Sequence, residues 1–179
     1  MATSDPTLLI APGLAGAYAM LAPVAEALLR LVVGFALVPH GLRMTFGCFA
    51  GTGLKVDSLN ALAAQLDQTG YRPGWLWAPA ISVTELVFGP LLALGLFTRP
   101  AAVPIVIFLA VSNIERWRVG GYFWNTLGLE YTLLWTAAAF YFLVHGGGLY
   151  SLDHFLIGWE IGLSDRADAR SFDEPHAAR

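Results

Sequence analysis

Four apolar runs, each about one bilayer thick, dominate this chain and leave it few folds. Roughly 20 apolar residues of helix cross the ~30 Å hydrocarbon core of a membrane. Runs of that size lie near residues 24–48, 75–97, 101–118 and 123–144. Only 13% of the residues are charged and 56% are hydrophobic, against roughly 25% charged in soluble domains. With a mean hydropathy of +0.61, the chain has too little polar surface to dissolve as a globule, so lipid is its solvent. Backbone groups in lipid must bond within their own segment, which favours helices. The expected fold is all-α: a polytopic membrane four-helix bundle over residues 24–155. An apolar extension broken by Pro and Gly precedes it at 1–23, and a polar tail follows at 156–179.

Charge and cysteine content exclude several classes. The net charge is −3 with no basic block, so nucleic acid is not an expected partner. Cys48 is the single cysteine, which rules out an internal disulfide, a CxxC pair and a thiolate metal cage. The amino-terminal MATSDPTLLIAPG lacks the positive region of a signal peptide. Residues 7–25 are apolar but interrupted by Pro12, Gly13, Gly16 and Pro23, and read as an interfacial or partner-packing segment rather than a fifth span.

Local signals set the boundaries. Glu26 precedes Arg30 by four residues, the favourable order for a helical ion pair. Pro39 should kink the first span, and His145-Gly146-Gly147-Gly148 should stop the fourth. Between the first two spans, Leu59, Leu62, Ala63 and Leu66 recur at helical spacing after Asp57-Ser58 and before Gly70 and Pro73. This predicts a short amphipathic helix on the membrane surface or, on a sharper reading, a lid. Trp75, Trp77, Trp117, Tyr122, Trp124 and Tyr141 fall near span ends, as an aromatic belt does. With both termini inside, the basic residues divide almost evenly between the two sides, so they orient the chain weakly.

Glu85 and Glu130 lie inside apolar runs, where a carboxylate costs a few kcal/mol and persists only if paired, hydrated or used. Ideal helix rise places Glu85 near mid-membrane and His40 and Glu130 each about 6 Å toward the first-loop side. Asn113 falls at a level similar to Glu130, and Arg43 about 10 Å toward that side. The expectation is a shared polar cluster of His40, Arg43, Glu85, Asn113 and Glu130, either binding a ligand or acting as interhelical glue. A b-type haem is disfavoured because His40 and His145 fall in opposite halves. A di-iron centre is disfavoured because no Glu-x-x-His pair exists. A quinone slot, which needs an apolar cleft, a basic donor and a nearby acid, fits better than a metal held by His40, Glu85 and Glu130.

The order of these features carries a family resemblance. Arg30 opens the first span; HGLRMTFG, SVTELVFGPLLALGLFTRPAA, GGYFWNTLGLEY and HGGGLYSLDHFL follow. The set, over roughly residues 26–155, resembles the DoxX family of small bacterial membrane proteins, related to the DoxD-like subunit of thiosulfate:quinone oxidoreductase. Members commonly carry a lysine after the HG region, where this chain has Arg43. The resemblance implies four spans in the bacterial inner membrane with both termini cytoplasmic, and a link to redox processes. Two functions are expected from it and from the cluster. One is a redox-linked membrane subunit binding a quinone or a small sulfur oxyanion near the cluster, with no covalent cofactor. The alternative is a non-catalytic accessory or assembly subunit packed, among membrane lipids, against a larger respiratory or photosynthetic membrane complex.

Four spans require reporter tags at the two termini to read the same compartment and a tag between Gly51 and Gly70 to read the other. Opposite compartments for the termini would mean that residues 7–25 cross the membrane.

Overall fold

The computed structural model describes residues 12–49, 51 and 56–157, and every regular element among them is helical. In chain order these are α1 (Ala15–Phe35), α2 (Leu37–Phe46), α3 (Leu59–Thr69), α4 (Gly74–Val83), α5 (Gly89–Leu94), α6 (Thr98–Gly120) and α7 (Glu130–His145). A π-helical turn, Thr84–Phe88, joins α4 to α5, and another, Asp153–Ile157, follows α7. Three helical stretches are long and apolar enough to cross a membrane: Ala15–Phe46, Gly74–Leu94 and Thr98–Gly120. Residues 1–11 of the expected extension and 158–179 of the expected tail lie outside the described residues, whereas 12–23 are described and lead into α1.

Proline places the breaks. Pro39 cannot donate to the carbonyl four residues earlier, and its ring crowds that carbonyl. The first span accordingly breaks at Ala36, three residues ahead of the proline, between α1 and α2. Pro90 interrupts the second span in the same way, and the ladder there slips into the π turn ahead of α5. Such turns occur often at functional sites. By contrast, Pro23 is accommodated inside α1, which starts at Ala15 and not near residue 24.

The fourth run differs most from expectation. Helix α7 begins only at Glu130 and has 16 residues, about 24 Å of rise. Residues 124–126 form a short 3-10 turn, and Leu127 takes a positive φ of 65°. The helix therefore cannot extend back through the aromatic segment.

One apolar core joins α1, α2, α5, α6 and α7: Val33, Leu37, Leu92, Ile105, Leu109 and Phe142 are buried together, with Ala102 and Ala139. Glycine makes the closest approach possible. A Cβ on Gly34 would collide with the backbone of Gly89 and Ala93, so α1 and α5 touch main chain to main chain. Small residues serve this purpose in membrane helix pairs, where packing replaces the hydrophobic drive. Trp135 of α7 adds a crosslink, donating Nε1–H to the Val33 carbonyl at 2.9 Å.

Helix α3 forms where its spacing placed it. Ser58 Oγ accepts from Ala61 N at 3.3 Å, and Gly70 closes the helix with φ 98°. Its Leu62 packs with Val56 and Ala78 in a second small core. Asp67 Oδ1 accepts from Gly74 N at 2.7 Å, capping α4 and fixing α3 to it.

Gly34→Leu should destabilise the bundle by at least the ~1–3 kcal/mol typical of overpacking, read as a lower melting temperature in detergent. Gly16→Leu is the control, because a Cβ there meets nothing within 4 Å. Equal loss from both would show that the α1–α5 contact is not where the bundle is tight.

Candidate functional site

Two polar centres emerge, at different depths. The first was not anticipated as a site. Arg30 is 2% exposed and turns into the bundle instead of pairing along its own helix with Glu26. Its Nε donates to Ala93 O at 3.2 Å, one terminal nitrogen to Gly147 O, and the other to Tyr150 O at 2.7 Å. These carbonyls lie at the end of α5 and in the segment after α7, where a helix leaves its last acceptors unpaired. Asp153 completes the arrangement at the start of α6. Its carboxylate accepts from Phe97 N at 2.6 Å, Thr98 N at 2.8 Å and Thr98 Oγ1 at 2.6 Å. Asp153 N also donates to Gly95 O at 2.8 Å. A negative group at a helix start is where the helix dipole favours it. The His145-Gly146-Gly147-Gly148 stop thus does more than end α7. A Cβ on Gly147 would lie 2.7 Å from Thr98 Oγ1, so only glycine lets this segment lie against α6.

Beside this lock lies an open groove of about 460 Å³, with Arg30, Leu31, Leu94, Tyr150, His154 and Phe155 among its walls. Its walls are mostly apolar. Three of the five guanidinium N–H groups are already engaged by carbonyls, so the groove suits hydrocarbon better than an anion.

The second centre is the expected cluster, and the structure divides it. Glu85 lies in the π turn and is 1% exposed. Its Oε2 is buried with no hydrogen-bond partner among the described residues. A Cβ added to Gly41 would sit 2.9 Å from Glu85 Cβ, so α2 presses its backbone onto this turn. Asn113 on α6 donates Nδ2–H to Thr136 Oγ1 on α7 at 2.9 Å, while its Oδ1 is buried and unpartnered. Thr45 and Ser82 add a hydroxyl pair at 2.8 Å between α2 and α4.

The other three residues stand apart. His40 is exposed on the bundle surface, its ring 5.9 Å from that of Trp135. The charges acting on it are those of Arg116 and Arg43, not a carboxylate. Arg43 is half-buried and makes no ion pair among the described residues. Glu130 is not at mid-membrane: it opens α7, and its Oε2 accepts from Trp124 N at 3.2 Å, holding the α6–α7 loop. Glu130 thus starts its helix instead of sitting inside it. No group of three or more His, Cys, Asp and Glu that could hold a metal occurs among the described residues.

One more tie closes the loop side. Tyr71, between α3 and α4, donates to Glu115 Oε1 at 2.6 Å, and Arg118 pairs with the same oxygen at 2.8 Å. The bond to the Glu115 carboxylate, with burial second, raises the Tyr71 phenol above its ordinary range. The hydroxyl, protonated at neutral pH in any case, is held in its donating form further into the alkaline range.

Breaking the lock should cost more than any surface change. Arg30→Met strands three carbonyls and Asp153→Ala three donors. Each should lower stability by about 3 kcal/mol or more, given ~1.5–3 kcal/mol per bond to a charged group. The double variant should lose less than the sum, because both hold one junction. Strict additivity in thermal melts would mean two independent contacts.

No curated protein and no solved structure matches the chain. Among protein families, DoxX matches residues 25–114, half of the chain, taking in α2 to α5, most of α1 and most of α6. With Arg30, the Gly34 contact and the Glu85 turn all inside that match, the chain belongs to the DoxX family.

Proposed function

We propose that this integral membrane protein is a redox-linked subunit whose interior accepts the hydroxyl of a quinol. In this reading α7 is the fourth span, the protein sits in a bacterial inner membrane, and both termini are cytoplasmic. The observation that carries it is the unpartnered Oε2 of Glu85, supported by the unpartnered Oδ1 of Asn113. Asn113 Oδ1 is an acceptor, and the Glu85 carboxyl is an acceptor in its ionised form, the form this reading requires. An acceptor buried without a donor costs about 1–3 kcal/mol, and a carboxylate buried without a cation costs more. Such a cost is consistent with a place that a ligand completes.

The kind of orphan atom selects the ligand. A sulfur oxyanion brings only acceptors and negative charge, and would be repelled at Glu85. A quinol brings hydroxyl donors on a flat apolar ring, and leaves its tail among the helices. Oxidised quinone brings acceptors, so the reduced form is the better match. In this role Glu85 takes the hydroxyl proton. His40, on the surface beside Trp135, would exchange protons toward the edge of the bundle.

The alternative reading, an accessory subunit seated on another membrane protein, is favoured by a different observation. Helix α1 exposes Met20, Leu21, Leu28 and Val32 by more than half of their surfaces. On that reading, removing residues 1–22 releases co-purifying partners while the bundle remains folded.

The quinol reading makes a paired prediction of opposite sign. Glu85→Met should raise the melting temperature, by relieving about 1–3 kcal/mol of unsatisfied burial. It should also weaken binding of a short-chain quinol, followed by Trp fluorescence quenching, by tenfold or more. Arg43→Met should change binding little. A wild-type protein that quenches no more with quinol than with a non-hydroxylated analogue would sink the reading, as would a Glu85→Met variant that binds normally.

A further inference from the structure

Among the described residues, the end of the bundle where α2 and α6 finish gathers Arg43, Arg72, Arg116 and Arg118. Two of them are matched. Arg72 Nε donates to Asp67 O at 3.2 Å, and Arg118 pairs with Glu115 at 2.8 Å. Arg43 and Arg116 make neither a hydrogen bond nor an ion pair with any described residue. The acids of this end are engaged elsewhere. Glu115 accepts from Tyr71 and Arg118, Glu130 from Trp124 N, and Asp67 from Gly74 N.

The two unmatched arginines are also neighbours. Arg43 lies one turn beyond His40 on α2, hence on the same face. His40 sets its ring 5.9 Å from that of Trp135 on α7. Arg116 lies one turn beyond Asn113 on α6, whose amide bonds Thr136, the residue after Trp135. The charges of both arginines act on His40. Helices α2, α6 and α7 thus bring two cations and an imidazole together, with no carboxylate bonded to any of them. Guanidinium groups stay charged at any ordinary pH. Like charges repel more strongly beside a low-dielectric core than in water, so such a set calls for an anion.

Depth and exposure select the anion. Arg43 is about one turn short of the end of α2, and Arg116 of the end of α6. Helix rise puts Arg43 about 10 Å from mid-membrane, whereas the hydrocarbon ends at ~15 Å. A guanidinium on its long stem spans that difference and reaches the level of the lipid phosphates. His40 is exposed on the flank of the bundle, as are Pro39 and Ala36 nearer mid-membrane. A soluble anion would have to shed its water to enter from this flank. A lipid phosphate reaches the same level with its chains already in hydrocarbon.

We propose that His40, Arg43 and Arg116 form a lateral seat for the phosphodiester of an anionic membrane lipid, whose acyl chains lie along the outside of α2. Arginine's fork of donors suits phosphate oxygens, and basic sites between membrane helices hold lipid headgroups in this way. The seat does not depend on Glu85, which is buried in the π turn.

Native mass spectrometry of the full chain tests it, with detergent holding equal amounts of phosphatidylglycerol and phosphatidylcholine of the same acyl chains. The parent should retain phosphatidylglycerol several-fold over phosphatidylcholine. Arg43→Gln and Arg116→Gln should each abolish that preference. Arg118→Gln removes the same charge from the same end and should leave it unchanged. In detergent without lipid, Arg43→Gln and Arg116→Gln should melt no lower than the parent, because each relieves a repulsion. A parent with no preference overturns the proposal. So does an equal loss in Arg118→Gln, which would mark general surface charge. Lower melting of both cluster variants without lipid also overturns it, by showing that these arginines are matched inside the protein. Stabilisation of the parent by inorganic phosphate as large as that by phosphatidylglycerol would assign the seat to a soluble anion and overturn the lipid.

Discussion

A guanidinium buried at the end of a membrane bundle holds this fold together. Helices in lipid gain little from hiding apolar surface, since lipid is as apolar as leucine. What remains is close packing and the satisfaction of polar groups that have no water. Arg30 supplies the second kind of contact to the end of α5 and the segment after α7, and Asp153 supplies it to the start of α6. The two side chains are of opposite charge, and each spends its hydrogen bonds on helix ends rather than on the other. That arrangement avoids the large desolvation cost of a bare buried ion pair while pairing backbone groups that would otherwise be orphans. The Gly34 contact works with it, because α1 must come within backbone distance of α5 before Arg30 can reach Ala93 O.

Much of the fold was legible because the signals are local. Apolar runs locate helices through length alone. Leu59, Leu62 and Leu66 between Ser58 and Gly70 specify α3 down to its caps. Pro39 announced a break, though its site at Ala36 follows from the geometry of the missing bond rather than from the residue itself. The lock was not legible, because its partners are far apart in the chain. Arg30 has an evident neighbour in Glu26, four residues away, and nothing local says that carbonyls 63 and 117 residues away will compete successfully. Asp153 likewise gives no sign of capping a helix that starts 55 residues earlier. Glu130 was misplaced because apolarity marks a run and not a helix start; Gly128 and the Asn125-Thr126 pair were the available signals of a turn.

The candidate site shows the same division. Burial of Glu85 could be read from its surroundings. Its isolation could not, since that depends on where the cations of other helices point. Helix rise puts His40 and Arg43 in the same half of the membrane, about 6 and 10 Å from its middle, but His40 lies exposed at the surface, where the charge of Arg116 acts on it. A depth argument fixes one coordinate of three. Convergence of charges also requires the right helix face, and the helix breaks at Ala36, between α1 and α2, before His40 and Arg43 are reached.

This geometry separates two jobs within one chain. The unsatisfied acceptors lie mid-span, in the π turn and on α6. The exposed apolar side chains of α1, Met20, Leu21 and Leu28 among them, lie on another helix and face outward. A change on that surface removes no partner of Glu85 or Asn113, and a change at Glu85 removes none of the surface. Arg30 is the buried side chain that ties α1 to the end of α5 and to the segment after α7, so the position of α1 in the bundle depends on backbone carbonyls contributed from both.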